Sequence, residues 1–118
     1  DKTQRLNIKD AMVPITGLAR IYALKHDIYQ TNTMQRIEAA YRKKIFQKST
    51  YKEMLDAYKY LMQTRLKHQA KRIGENKEPD NLIDIQKLTS VELSLLKKVF
   101  SRISGFQTQL SYDFKGRT

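Results

Sequence analysis

The chain has 118 residues, enough for one domain and one core, and its 23 Lys and Arg against 12 Asp and Glu give a formal charge of +11. The absence of cysteine excludes disulfides, thiolate chemistry and cysteine–zinc sites, and the two histidines, His26 and His68, lack the paired spacing of a transition-metal site. No apolar run approaches the ~18 residues of a membrane span and no signal-peptide core precedes the first helix, so a soluble, cytoplasmic protein without a membrane partner is expected.

Residues 1–10 are polar and are expected to be frayed or extended, as are residues 115–118. The first helix is predicted over residues 12–26, with Pro14 in its first turn, where a missing N–H costs little. Ile15, Leu18, Ala19 and Tyr22 form one apolar face, and Val13, Ile21 and Leu24 a second, so this helix reads as a central one, with Arg20 embedded in the second face. Asn32 or Thr33 caps a second helix over residues 33–46, with a stripe of Met34, Ile37, Ala40 and Tyr41. Thr50-Tyr51-Lys52-Glu53 matches a capping box, and the third helix continues to residue 73, where Gly74 is a natural stop. A charged loop, residues 75–80, follows. Leu82, Ile83, Ile85 and Leu88 span too few residues for an independent strand and read as an extended clip pinned to the bundle. Thr89-Ser90-Val91-Glu92 is a second capping box, opening a last helix that runs to residue 112 or 114. Gly105 inside it marks a point of close packing, since glycine there costs about 1 kcal/mol against alanine. The sum is one all-α domain over residues 1–118: a four-helix, mostly antiparallel up-and-down bundle with an extended clip before the last helix. It opens on Asp1, as the C-terminal fragment of a longer chain would.

Six polar residues fall where the helical periodicity asks for apolar ones. Arg65 and Gln69 lie on the stripe of Tyr51, Met54, Leu55, Tyr58 and Met62, and Gln107 on that of Leu93, Leu96, Phe100, Ile103 and Leu110. Arg20 and His26 sit in an apolar segment, and Asn81 opens the clip. An unpaired buried polar group costs roughly 1–3 kcal/mol, so these side chains are expected to converge on a hydrogen-bonded network or a ligand cleft. Arg65 and Gln69, one turn apart, fit either an internal lock, with Arg65 paired to a carboxylate or helix-end carbonyls and Gln69 bonded to the clip backbone near Asn81, or direct ligand contact. His68 points away from the stripe and reads as a surface residue; His26 reads as a helix-end histidine.

No Gly-rich phosphate loop, nucleophile elbow or paired carboxylate is present, and Asp80 and Asp84 flank a loop without an evident partner. The chain reads as non-catalytic by itself. Arg20 and His26, five residues apart, loosely match the Arg-x(4–6)-His motif of helical HEPN ribonucleases, although Ile21 stands where that motif carries a polar residue. An RNA-processing bundle is thus one alternative. The basic charge makes a nucleic-acid-binding module a second, weakened by the dispersion of the lysines along the chain. A regulatory protein-interaction bundle, with homo-oligomerisation left open, is a third.

The ordered set Pro14-Ile15, Ala19-Arg20-Ile21-Tyr22-Ala23-Leu24, Asn32-Thr33, Arg36-Ile37, Ala57-Tyr58, Leu61, Arg65-Leu66, Gln69, Pro79-Asp80-Asn81, Leu88 and Gln107 resembles the nucleotidyltransferase substrate-binding domain family. The resemblance runs from about Ile8 to Phe114. It implies a bacterial parent protein whose upstream nucleotidyltransferase domain holds the metal-binding carboxylates, often beside CBS and cyclic-nucleotide-binding modules that place it in signal transduction. The helical domain would pack against that upstream domain and help to hold a nucleotide or an acidic acceptor. Mg and a nucleoside triphosphate are implied for the parent enzyme, with no cofactor in this chain. The matched polar positions Arg20, Thr33, Arg36, Arg65, Gln69 and Asn81 are the implied substrate-binding residues.

Overall fold

Asn7 sets where the first helix begins. In the computed structural model, which describes residues 4–115, the Asn7 side chain accepts the Asp10 N–H at 3.1 Å and caps α1 (Ile8–Lys25). Ile8 is fully buried, so the helix starts four residues before the periodicity suggests and Pro14 lies inside it rather than in its first turn. The proline is tolerated because Asp10, whose carbonyl loses a partner, is exposed to water. Just upstream, β1 (Arg5–Asn7) pairs antiparallel with β2 (Leu82–Asp84), Leu6 facing Ile83. The Ile8 N–H extends this ribbon by donating to the Asn81 carbonyl at 2.8 Å. Of the residues expected to be frayed or extended, 5–7 are extended, as a strand, 8–10 open α1 and Lys115 closes the last helix, and half of the clip is a strand. A three-residue segment carries too little alternation to be read alone and becomes a strand only through its partner. The expectations for residues 1–3 and 116–118 lie outside the described residues.

Asn32 caps α2 (Thr33–Arg42), accepting the Gln35 N–H at 3.2 Å. This helix stops short of residue 46 because Lys44 turns left-handed, φ 62°, and the Ile45 N–H closes on the Ala40 carbonyl at 2.9 Å. Such a closure satisfies the orphan carbonyls of a helix end. Asp27 (φ 55°) ends α1 and Asn76 (φ 60°) ends α3 (Lys48–Gly74) in the same way. Gly74 is thus not the stop; it sits in the last helical turn, and Asn76 takes the left-handed conformation. Nor does the first capping box form. The helix is already under way at Lys48, and Glu53 instead pairs with Arg102 of α4 (Ser90–Lys115). The second box does form: the Thr89 N–H reaches Glu92 Oε1 at 2.9 Å and the Glu92 N–H reaches Thr89 Oγ1 at 3.1 Å. It follows a 3-10 turn (Ile85–Lys87).

The all-α, four-helix architecture is the expected one, with the small β1–β2 ribbon as its addition. The Glu53–Arg102 pair and the Tyr60 hydroxyl donating to the Glu92 carbonyl show α3 running against α4. Tyr22 on the last turns of α1 donates to Asp113 near the end of α4, at 2.7 Å, so these two helices run the same way. Phe46, just past α2, and Phe114 of α4 pack edge-on against the Tyr22 ring, at 4.8 and 6.0 Å, at the end of the bundle where α1 finishes. The core is Ile15, Leu18, Tyr22, Ile37, Met54 and Leu61 with Leu96, Ile103 and Phe106. No helix among the described residues is long and apolar enough to cross a membrane.

The packing departs from the sequence reading at three places, one on α1 and two on α4. Val13, Ile21 and Leu24 are 58%, 41% and 72% exposed, so α1 buries one face and leaves the other open. On α4, Phe106 takes the core position and Gln107, about 100° further round, is exposed. A Cβ at Gly105 would meet nothing within 4 Å, so no close packing requires that glycine. Among the described residues no polar or charged residue is fully buried. The polar side chains expected inside instead line the margin of the core.

Candidate functional site

The C-terminal half of α3 carries two polar rungs, each one helical turn long, and the returning chain docks on both. On the first rung, Asn81 Oδ1 accepts from Arg65 Nε at 2.9 Å and from Gln69 Nε2 at 3.1 Å. On the second, Asp80 Oδ1 meets His68 Nε2 at 2.7 Å, while Asp80 Oδ2 pairs with Arg72 Nε at 3.2 Å. Asp80 Oδ1 also accepts the Leu82 N–H at 3.1 Å, and Arg72 reaches back to the Glu78 carbonyl. The loop between α3 and β2 is thereby fixed side chain by side chain. The hydrogen bond from His68, then that from the Leu82 N–H, with the Arg72 charge adding to them, holds the Asp80 carboxyl below its ordinary value of 3.8.

Three of the six matched polar positions, Arg65, Gln69 and Asn81, therefore come together, as an internal lock whose acceptor is the Asn81 side chain rather than the clip backbone. Sequence reasoning missed the second rung. His68 is no surface residue, its side chain being 19% exposed, and Asp80 has two partners. The signal was present: His68 and Arg72 repeat the four-residue spacing of Arg65 and Gln69 one position out of step.

Beyond the rungs, β2 and the 3-10 turn stand off from α3 and leave a groove with a cavity of about 360 Å³. Its carboxylates are all engaged. Asp80 is held as above, Asp84 caps the 3-10 turn by accepting the Gln86 N–H at 3.0 Å, and Glu75 pairs with Lys77 at 3.5 Å. Glu92 is bonded by Thr89, whose N–H is the largest influence holding its carboxyl low, and pairs with Lys67 at 3.7 Å. Three cations of the lining, Lys71 on α3, Arg5 on β1 and Lys87 on the 3-10 turn, make no hydrogen bond or ion pair among the described residues. The groove lining holds six Lys and Arg against four Asp and Glu, and that excess of positive charge favours an anionic ligand.

The other matched positions stand apart. Arg20 is exposed and makes no hydrogen bond among the described residues. Thr33 opens α2, and Arg36 Nε donates to the Gln30 carbonyl at 2.8 Å, both at the bundle end opposite Asn81. His26 is the helix-end residue expected: its ring stacks on Tyr22 at 6.4 Å, and its carbonyl accepts from Lys43 Nζ at 2.9 Å. Burial, then the hydrogen bond to Asp113, raises the Tyr22 phenol above its ordinary range. Among the described residues no group of three His, Asp or Glu side chains stands close enough to hold a metal ion.

In a comparison with protein families, the family described as "Putative nucleotidyltransferase substrate binding domain" matches residues 1–114. Neither the curated proteins nor the solved structures gave a match.

Proposed function

Because the chain belongs to the family of nucleotidyltransferase substrate-binding domains, we propose that it binds and orients a substrate for a nucleotidyltransferase domain, in the groove between α3 and β2. The observation that carries this reading is the excess of cations around the cavity, with Arg5, Lys71 and Lys87 making no hydrogen bond or ion pair among the described residues. The two rungs give the groove a rigid wall. A preformed wall lowers the entropy lost when a reactant is brought to the catalytic centre, which is the service a non-catalytic domain performs. In this reading Arg65, Gln69 and Asn81 hold the wall and the cations beside them meet the ligand.

The transfer itself belongs to the partner domain. The residues described here offer no carboxylate cluster for Mg, so the metal that activates a nucleoside triphosphate would be held on that partner, in a cytoplasmic parent protein. Val13, Ile21 and Leu24, with Arg20 among them, form the one apolar face α1 leaves open, and we assign that face to the nucleotidyltransferase domain. Arg20 then serves the interdomain contact rather than the substrate.

A thermal-shift screen of nucleotides and acidic metabolites tests the groove. A ligand should raise Tm in proportion to the logarithm of its concentration, and the double variant Lys71→Glu/Lys87→Glu should abolish the rise. A ligand that stabilises the variant as well as the wild type would place the site elsewhere.

A further inference from the structure

The basic groove does not end at its charged walls. It runs into a second cavity of about 250 Å³ between α3, Leu88 and the first turns of α4, and this one is mainly apolar. Tyr60, Leu88, Leu95 and Leu96 line it. Thr64, Lys67, Ile83, Leu88 and Glu92 border both cavities, so the two are continuous. Two polar groups of the apolar half are already engaged, which leaves the Gln63 amide at its edge. The Tyr60 hydroxyl donates to the Glu92 carbonyl and Thr64 Oγ1 donates to the Tyr60 carbonyl at 2.8 Å. That half presents ring and methyl surface, with Leu95 still 44% exposed. The groove is therefore bipartite, free cations at one end and an aromatic–aliphatic wall at the other, and its two volumes together fall in the ~300–1,000 Å³ range of small-molecule sites.

Resting on the reading of this groove as a substrate site, we propose that its ligand is a nucleoside phosphate, with the phosphates on Arg5, Lys71 and Lys87 and the base and sugar against Tyr60, Leu88 and Leu95. A simple anion would leave the apolar half wet, and a neutral ring compound would leave the cations unanswered. A nucleoside diphosphate carries both chemistries a few bonds apart. An arginine fork and point-charge lysines suit phosphate oxygens, and a purine or pyrimidine face suits a tyrosine ring.

Amide chemical-shift titrations of the whole chain with the four common nucleoside diphosphates, with pyrophosphate and with adenosine test it. At least one diphosphate should bind tenfold or more tightly than pyrophosphate or adenosine alone, moving amides near both Lys71 and Leu95. Lys71→Glu/Lys87→Glu should weaken the diphosphate and pyrophosphate at least tenfold and leave adenosine unchanged. Leu95→Glu should weaken the diphosphate and adenosine and leave pyrophosphate unchanged. All three positions are exposed, so these variants should keep the fold, which circular dichroism verifies. Pyrophosphate binding as tightly as every diphosphate would overturn the nucleoside assignment and leave the groove standing as an anion site. An acidic metabolite seated in the groove while no diphosphate binds would do the same. Diphosphates that move amides only outside the groove would overturn both the ligand and the site.

Discussion

Replacing Asn81 with alanine should destabilise the domain by about 2 kcal/mol. The Asn81 side-chain oxygen accepts two hydrogen bonds, from the charged Arg65 Nε at 2.9 Å and from the neutral Gln69 Nε2 at 3.1 Å. A bond to a charged group contributes about 1.5–3 kcal/mol and a neutral one about 0.5–1.5, and the partial exposure of this rung favours the lower end of each range. The Asn81 backbone carbonyl keeps its bond from Ile8 in the variant, so the ribbon itself is retained. For a domain of this size the loss corresponds to a fall in Tm of roughly 8 °C. Urea unfolding followed by far-ultraviolet circular dichroism measures it, with the slope unchanged if only the lock is lost. Asn81→Asp, which keeps the acceptor and adds charge toward Arg65, should stay within about 0.5 kcal/mol of wild type. Arg65→Ala should lose most of its effect in the Asn81→Ala background, because the two share one interaction. A loss below about 0.5 kcal/mol for Asn81→Ala, or strict additivity with Arg65→Ala, would refute the lock.

The remaining predictions concern the helix end, acid and the open face of α1. Lys44→Gly should stabilise by about 0.5–1 kcal/mol, since a residue with a Cβ is held at φ 62° there, and a lower Tm would contradict that strain. The Asp80 carboxyl is held low in the folded state, so its contribution is present above the ordinary value of 3.8 and is lost as pH falls through the lowered one. Stability against pH should accordingly fall less steeply in that acid window for Asp80→Asn than for wild type, and parallel curves would contradict the pairing with His68 and Arg72. Leu24→Glu, at a site 72% exposed, should change the stability of the isolated domain by less than about 0.5 kcal/mol yet weaken its association with the nucleotidyltransferase domain. Unchanged association in co-purification would remove α1 from that interface.

Much of the bundle was legible because its signals are local. Asn32 and the Thr89–Glu92 box each announce a helix start within four residues of chain, and both form. Arg65 and Gln69 on an apolar stripe called for an internal lock at the clip, but their shared acceptor is the Asn81 side chain and not a carboxylate, a helix-end carbonyl or the clip backbone. What stayed hidden depends on the third dimension. The ribbon of Arg5–Asn7 with Leu82–Asp84 joins segments more than seventy residues apart, each too short to show a period. The Thr50–Glu53 pattern was a true local option that a tertiary partner overrode, since Glu53 is drawn to Arg102. The α4 seam slipped because a 3.6-residue turn drifts against a strict repeat, handing Ile103's next core neighbour to Phe106 rather than Gln107. On α1, three apolar residues looked like core because periodicity reports hydrophobicity and not whether a neighbour exists to cover it. The groove was invisible for a related reason: its cations are scattered through the sequence at Arg5, Lys71 and Lys87, and only the ribbon brings Arg5 beside α3.

Charge-matched calorimetry puts the groove to its most direct test. Lys71→Glu/Lys87→Glu and Lys48→Glu/Lys52→Glu each lower the net charge from +11 to about +7, so they are alike in bulk electrostatics. They differ in place, since Lys48 lies about 35 Å along α3 from Lys71, at 1.5 Å per residue. Titrated with the tightest-binding nucleoside diphosphate, the first pair should lose at least tenfold in Kd and the second less than threefold. Equal losses from both pairs would mean that the ligand answers to overall charge and that the groove between α3 and β2 is not the binding site.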